Sequence, residues 1–382
     1  MALEIEVSSL QGLQKLKADW QFLEHQAECS PFISWGWIQP WLEEVALNNF
    51  EALLIKITEN NKLVALGLLH YGLETRRKLF RRTILFLNEM PLADNNMVIE
   101  YNGLLVKKGY EERAWETLIQ KLLELPKWDE VHLNALSAPV AAQVKTVLGR
   151  FSNSYTHNQA AVNEVYLADF SQYQNWLDAE KKLLSKNKRA QINRSIRAFE
   201  SKYSGVIVCK SAINAEQALR YFSSLEKSHT TYWAGKGKEG AFGNKKWVAF
   251  NKKIIQKNIE NGVVQLYCIS VAEHVIGYLY NFCWKGVVYN IQSGFCYEDD
   301  NKLKPGYVSH WLVMAECFKR DALEYNFLAG STHYKKSLSN REEHMESLVL
   351  RKRSDKRKFL LEDTLVSIVR LLRKIARPRG FN

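Results

Sequence analysis

The sequence predicts an α+β chain: two tandem mixed-sheet domains, residues 1–160 and 161–350, followed by a basic C-terminal helical tail, residues 351–382. Three observations predict it. The order hairpin, strand, strand, helix occurs once in each half. A Lys304-Pro305-Gly306 turn stands directly before an apolar-striped helix in the second half. The charge is also uneven. The chain carries a net +12, and residues 351–382 hold eleven Lys/Arg against three Asp/Glu, so a net +8 of it lies in the tail.

The 382 residues are 46% hydrophobic, enough to bury more than one core and too apolar for disorder. Glu4 and Glu6 open a segment with no apolar signal core, and no run approaches the ~20 apolar residues of a membrane span. Cys29, Cys209, Cys268, Cys283, Cys296 and Cys317 show no CxxC spacing. They read as reduced, buried thiols of a cytoplasmic protein, with no metal site expected.

In chain order, residues 9–28 read as a helix from Leu10, Leu13, Leu16, Trp20 and Leu23, and Ser30-Pro31 breaks it. Ser34–Leu47 reads as a Trp-rich helix. Strands follow at Ala52–Thr58 and Leu63–Tyr71 around an Asn60-Asn61 hairpin turn, then at Arg82–Leu87 and Met97–Val106. A helix at Glu111–Leu125 ends at Pro126, and Val131–Ala135 is a short strand. Glu180–Lys202 is a basic helical run, and Gln217–Ser228 a helix with His229 near its end. Strands Gly262–Ser270, His274–Trp284 and Val287–Gly294 repeat the first-half pattern. The Pro-Gly helix is marked by Val308, Trp311, Leu312, Ala315 and Phe318, and Glu324–Leu328 is a buried strand closed by Gly330. A Pro-Gly helix start leaves first-turn N–H groups free for an anion.

The ordered set Ser223, Leu225, His229, Trp233, Gly240, Phe242, Lys304-Pro305-Gly306, Phe327, Gly330 and Tyr334-Lys335 resembles the CelD-type acyltransferases. These are GNAT relatives of the Fem-type aminoacyltransferases, found with polysaccharide and cell-envelope biosynthesis. Trp20-Leu23, Pro31-Phe32-Ser34-Trp37-Trp41 and Ile99-Glu100-Tyr101-Asn102 extend the resemblance over residues 15–340. It implies two tandem GNAT-like domains, the second an acyltransferase domain. Asn326 stands where that family commonly has an Asp.

Several groups are candidates for chemistry. Lys302, Lys304, Pro305, Gly306 and Tyr307 are expected at the phosphates of an acyl-CoA donor, through helix-start donors and two ammonium charges. His229 is the expected general base; the same residue at a helix end also serves as a cap. His310 and His333 are its rivals. Tyr334 is placed to protonate a leaving thiolate and Lys335 to hold a phosphate or an oxyanion, and the resemblance favours both as site residues. Trp233 and Phe242, in a Gly-rich loop, read as a lid over substrate. Arg189, Arg194 and Arg197 suit substrate phosphates, or form a solvated face. In the tail, Leu361, Leu365, Ile368, Leu372 and Ile375 make a stripe for an anionic membrane surface, for the protein body or for a second copy.

Three functions compete. The first is an acyl-CoA-dependent N-acyltransferase acting on an amino group of a sugar, polysaccharide or envelope precursor, cytoplasmic or peripheral at the inner membrane. The second is a Fem-type enzyme using aminoacyl-tRNA. The third is a non-catalytic membrane-surface or nucleic-acid binder; the charge concentrated in the tail argues against it.

Overall fold

The computed structural model describes residues 2–10, 12–46, 52–76, 80–89, 99–330 and 333–375. Strand β1 (Glu4–Ser9) and helix α1 (Leu13–Glu24) open the chain. A 3-10 turn leads into α2 (Trp35–Trp41), which continues as a π-helical turn over Leu42–Ala46. Strands β2 (Ala52–Glu59), β3 (Lys62–Arg76), β4 (Phe80–Leu87) and β5 (Leu105–Val106) follow, then α3 (Glu111–Glu124), β6 (Glu130–Ser137), α4 (Ala138–Arg150) and β7 (Tyr155–Asp169). Next are α5 (Trp176–Leu183), α6 (Lys186–Tyr203), β8 (Ile207–Ser211), α7 (Ala215–Ala234), α8 (Lys245–Asn258), β9 (Val264–Val271), β10 (His274–Trp284) and β11 (Val287–Phe295). The last elements are α9 (Pro305–Phe318), β12 (Glu324–Ala329), α10 (His333–Ser337), β13 (Arg341–Lys352) and α11 (Lys356–Ile375).

Two compact units result. The first gathers residues 1–29, 49–162 and 346–382; the second gathers 30–48 and 163–345. In the first, β1–β4 pair antiparallel in sequence order, and β4 pairs parallel with β6 through Ile84–Glu130, Leu85–Val131 and Phe86–His132. The β2–β3 turn puts Asn60 and Asn61 at φ 50° and 60°, as the hairpin reading required. Helices α3 and α4 cover the sheet through Trp115, Leu118, Leu122, Val144 and Val147, all buried. The expected strand Met97–Val106 is reduced to Leu105–Val106. Residues 97 and 98 lie outside the described residues, and Asn102 draws its neighbourhood out of the ladder. Its amide donates to the Leu87 carbonyl at 2.8 Å and accepts from the Asn88 amide at 3.0 Å.

The tail also departs from expectation, because its beginning is not a separate basic device. β13 runs to Lys352. Arg351 pairs with Glu130 at 2.8 Å and Lys358 with Asp129 at 2.6 Å, and Phe359 is buried beneath the Arg82 and Arg351 guanidinium groups. Glu362 bonds buried Arg82 at 2.7 Å. Leu361, Leu365 and Ile368 remain exposed; the side chains of Leu372 and Ile375 lie outside the described residues.

In the second unit the strand order is β7-β12-β11-β10-β9-β8. All neighbours are antiparallel except β11 and β12, which run parallel through Val287–Glu324, Val288–Tyr325 and Tyr289–Asn326, where the pairing stops. Each unit thus ends an antiparallel run in one parallel pair reached through a helical connection. Residues 30–48, expected with the N-terminal domain, pack within the second unit. Trp37 meets Phe250 and Phe282 edge-on at 5.0 and 5.8 Å, and Lys253 pairs with Glu43 and Glu44. Such aromatic pairs add about 0.5–1.5 kcal/mol each beyond their burial. All six cysteines are free thiols, as read; only Cys317 is fully buried, the other five being half-buried.

Candidate active site

Strands β10 and β11 separate two faces in the second unit. Gly277 pairs with Phe295, and Tyr278 with Gly294. A Cβ at Gly277 would lie 2.9 Å from Ser309 Oγ of α9, whereas one at Gly294 would lie 2.6 Å from the Leu225 carbonyl of α7. Helices α9 and α7 therefore cover opposite faces of strands whose parallel pairing with β12 stops at Tyr289–Asn326.

The start of α9 differs from those of the four helices that precede it, and shares its lack of a side-chain cap with α1–α4. Asn175, Ser185, Asn214 and Asn244 cap α5, α6, α7 and α8 with side-chain oxygens, while no side chain caps α9. Lys304 occupies the N-cap position, with its N–H held by Ser195 Oγ at 2.8 Å, and Pro305 follows. Tyr307, in the first turn of α9, has its ring centroid 4.0 Å from Lys188 Nζ. The Tyr307 hydroxyl accepts from Ser337 Oγ at 3.2 Å and stands 3.4 Å from His333 Nδ1. Lys302 is exposed, with its N–H on Asp300. Gly306 sits tightly on Phe295, 3.3 Å from where a Cβ would be.

Tyr334 and Lys335 lie on the α9 side. Tyr334 stacks on His310, ring centroids 5.3 Å apart, and meets Phe327 edge-on. Lys335 Nζ donates to the carbonyls of Ala329 (2.7 Å) and Leu328 (3.3 Å), which ties α10 to the end of β12. Leu328 there has a φ of 58°, and its N–H donates to Asn326 Oδ1 at 2.8 Å. Asn326 thus supports a turn at the strand end. His310 is fully buried; burial first, and the Lys335 charge second, push its pKa down to about 3.

His229 lies on the other face. The helix that was expected to end at Ser228 continues to Ala234, so His229 is inside α7 and not at its end. Helix propensity of Thr230–Trp233 is modest, and packing decides the extension. The imidazole touches Phe242 at 5.0 Å and Trp233 at 5.9 Å. Gly240, at φ 67°, closes over it; a Cβ there would fall 2.5 Å from His229 Cε1. Burial lowers the His229 pKa to about 4, and Nδ1 has no hydrogen-bond partner among the described residues.

Residues 186–336 match the family model described as the acetyltransferase (GNAT) domain. The protein is an acyltransferase. No curated protein matches the chain. In fold it is similar to FemX, with a TM-score of 0.58 and 9% identity over 89% of this chain and 96% of that one. A conserved protein of unknown function from Bacteroides thetaiotaomicron VPI-5482 gives 0.53 and 10% over 92% and 100%. L-PGS from Bacillus licheniformis gives 0.50 and 10% over 91% and 94%. Among the described residues of the acyltransferase, no group of three or more His, Cys, Asp or Glu is placed to hold a metal. No described helix is long and apolar enough to cross a membrane.

The other expected residues are dispersed. Arg189 donates to the carbonyls of Lys181 and Leu184 at the end of α5, Arg194 bonds the Ala190 carbonyl of its own helix, and Arg197 is exposed. Phe242 is buried against Phe222 and Trp247. Trp233 is half-buried, with the ammonium groups of Lys236 and Lys238 over its ring. Lys188 and Ser195, which do reach the α9 mouth, were not singled out in the sequence. Their seven-residue spacing on an amphipathic helix was the available signal.

Proposed function

We propose that this acyltransferase moves an acyl group from an acyl-CoA donor to an amino group of a sugar, polysaccharide or cell-envelope precursor. The observation that carries the reading is the uncapped start of α9, with Lys188, Tyr307, Tyr334 and Lys335 gathered beside the point where β11 and β12 stop pairing. A pyrophosphate there would meet the free N–H groups of Gly306 and Tyr307 and the charges of Lys188, Lys302 and Lys304. An opening between β11 and β12 would lead from the α9 face to the α7 face. An acyl group entering it has Tyr334 on one side, as acid for the departing thiolate, and His229 on the other, as base for the amine. The bond to sulfur breaks as the bond to nitrogen forms; the amine proton goes to the base and the thiolate takes one from the acid. The motif order that resembles CelD-type enzymes supports a polysaccharide or envelope acceptor.

Acetyl-CoA should bind the full chain in calorimetry, and Lys188→Met should weaken it about tenfold, as expected for a lost charge-assisted contact. Undiminished affinity in Lys188→Met removes Lys188 from the site. A second reading, aminoacyl-tRNA as donor, is favoured by the fold similarity to FemX over both units. Binding of aminoacyl-tRNA with none of acetyl-CoA would select it.

The exposed Leu361–Leu365–Ile368 stripe and exposed Arg353, Lys356 and Arg357 support peripheral attachment to an anionic inner-membrane surface. Each basic residue near such a surface contributes about 1 kcal/mol, screened by salt. The full chain should sediment with anionic vesicles at low salt and stay free of neutral ones. Leu361→Ser, Leu365→Ser and Ile368→Ser together should abolish this. Vesicle binding that survives the triple change refutes the stripe as the anchor.

A further inference from the structure

Above the α9 mouth runs a buried polar chain to which the proposed reaction assigns no role. Tyr325 donates its hydroxyl hydrogen toward Asn281 Oδ1 at 3.4 Å. Asn290 donates to the same oxygen at 2.9 Å, which fixes the Asn281 amide, and Ser293 donates to Asn290 Oδ1 at 3.0 Å. With the hydroxyl hydrogen donated to Asn281, the Tyr325 oxygen accepts from His310 Nδ1 at 3.2 Å. That hydrogen placement assigns the ring hydrogen to Nδ1 and leaves Nε2 as the acceptor.

That acceptor is buried without a hydrogen-bond partner among the described residues. Its surroundings are aromatic: Phe295 at 5.6 Å, Phe327 at 5.2 Å and Tyr334 at 5.3 Å from the ring. Phe327 is the first β12 residue past the last parallel pair, Tyr289–Asn326, so the box borders the point where the two strands stop pairing. Buried acceptors are nearly always satisfied, and one assigned this tautomer by a chain of four side chains is open to a donor from outside. Burial and the neighbouring Lys335 charge keep the ring neutral, so it offers an acceptor and no proton.

We propose that His310 Nε2 accepts a hydrogen bond from an N–H on the acyl-bearing arm of the donor substrate. Resting on the reading of α9 as the donor site, this assigns His310 as a binding residue for the arm, distinct from the phosphates. In a CoA thioester the N–H is an amide of the arm; in an aminoacyl ester it is the amino group.

The test is calorimetry on the full chain with two probes. Acetyl-CoA carries the amide arm, and adenosine 3′,5′-bisphosphate keeps phosphates and base without it. His310→Asn keeps a group near Nδ1 and empties the Nε2 position; His310→Gln places an amide oxygen near it. His310→Asn should lose roughly five- to tenfold in acetyl-CoA affinity, one neutral hydrogen bond's worth, with bisphosphate affinity unchanged. His310→Gln should stay within about threefold of wild type on the same scale. His310→Phe should lose acetyl-CoA affinity as His310→Asn does, with bisphosphate affinity unchanged. Equal acetyl-CoA affinity in His310→Asn, or an equal loss for both probes, overturns the assignment while leaving the donor site standing. Aminoacyl-tRNA binding that His310→Asn weakens, with no acetyl-CoA binding by wild type, supports the contact through the ester's amino group. Wild type that binds neither donor overturns the donor reading and this inference together.

Discussion

Tyr334→Phe should lower turnover by about 10²–10⁴-fold, the range for a lost general acid or base, while acetyl-CoA affinity stays near wild type. The substitution removes one hydroxyl and keeps the ring that stacks on His310 and meets Phe327, so the wall of the opening survives. His229→Gln should cost a similar factor, with side-chain volume roughly kept beneath Gly240 and Phe242. The pH profile gives an independent readout. Burial holds the His229 pKa at about 4, so the imidazole is already neutral well below pH 6.5. The acidic limb of kcat/KM should therefore lie near pH 4, with the rate rising through it and staying level to neutrality. A limb near pH 6.5, or a Tyr334→Phe enzyme of normal turnover on an identified acceptor, would reassign the chemistry, His333 beside Tyr307 being the next candidate base.

Glu362→Ala should destabilise the first unit by about 3–5 kcal/mol, because it strips a partner from a buried guanidinium. Arg82 is 1% exposed, held by Glu130 on one side and Glu362 on the other, with Phe359 beneath it. Cutting the chain at Leu350 would do the same and more, removing Arg351 from Glu130 and the last part of β13. Loss of membrane binding by such a truncation would therefore report unfolding as readily as a lost anchor; the serine triple variant avoids this. The cluster also sets an acid limit. Burial alone would raise the Glu130 pKa, but bonds and charges from His132, Arg351 and Arg82 outweigh it and hold it at about 2. A carboxyl depressed below its unfolded value of ~4.3 contributes stability above that pH and loses it as pH falls toward the folded value. Thermal unfolding of the first unit should thus shift downward between about pH 4.5 and 2, less so in Glu130→Gln. No acid shift in wild type, or wild-type stability in Glu362→Ala by denaturant titration, would contradict this account.

The α9 mouth was legible in the sequence because its determinants are adjacent: a Pro-Gly start, an apolar stripe, then a strand closed by Gly330. The Asn60-Asn61 hairpin and the repeated element order were legible for the same reason, since turn chemistry and periodicity act over a few residues. β1, α4, β7 and β13 were not foreseen. β7 is exposed along its middle and β1 is half-exposed, so neither carries a strong apolar alternation. The tail's net charge was correctly read, but its independence was not, because its basic residues meet Asp129, Glu130 and buried groups far away in the chain. Arg82 and Glu362 are 280 positions apart, His310 and Tyr325 fifteen, Tyr325 and Asn281 forty-four. By itself the sequence determined the fold class, the helix that starts at Pro305-Gly306 and the uneven charge, all products of local pattern. Only the tertiary structure decided which face His229 occupies, that Lys188 and not Arg189 reaches Tyr307, and that His310 Nε2 is buried without a hydrogen-bond partner among the described residues. Those outcomes depend on which side chains meet when distant segments pack, and such meetings leave no mark on local periodicity.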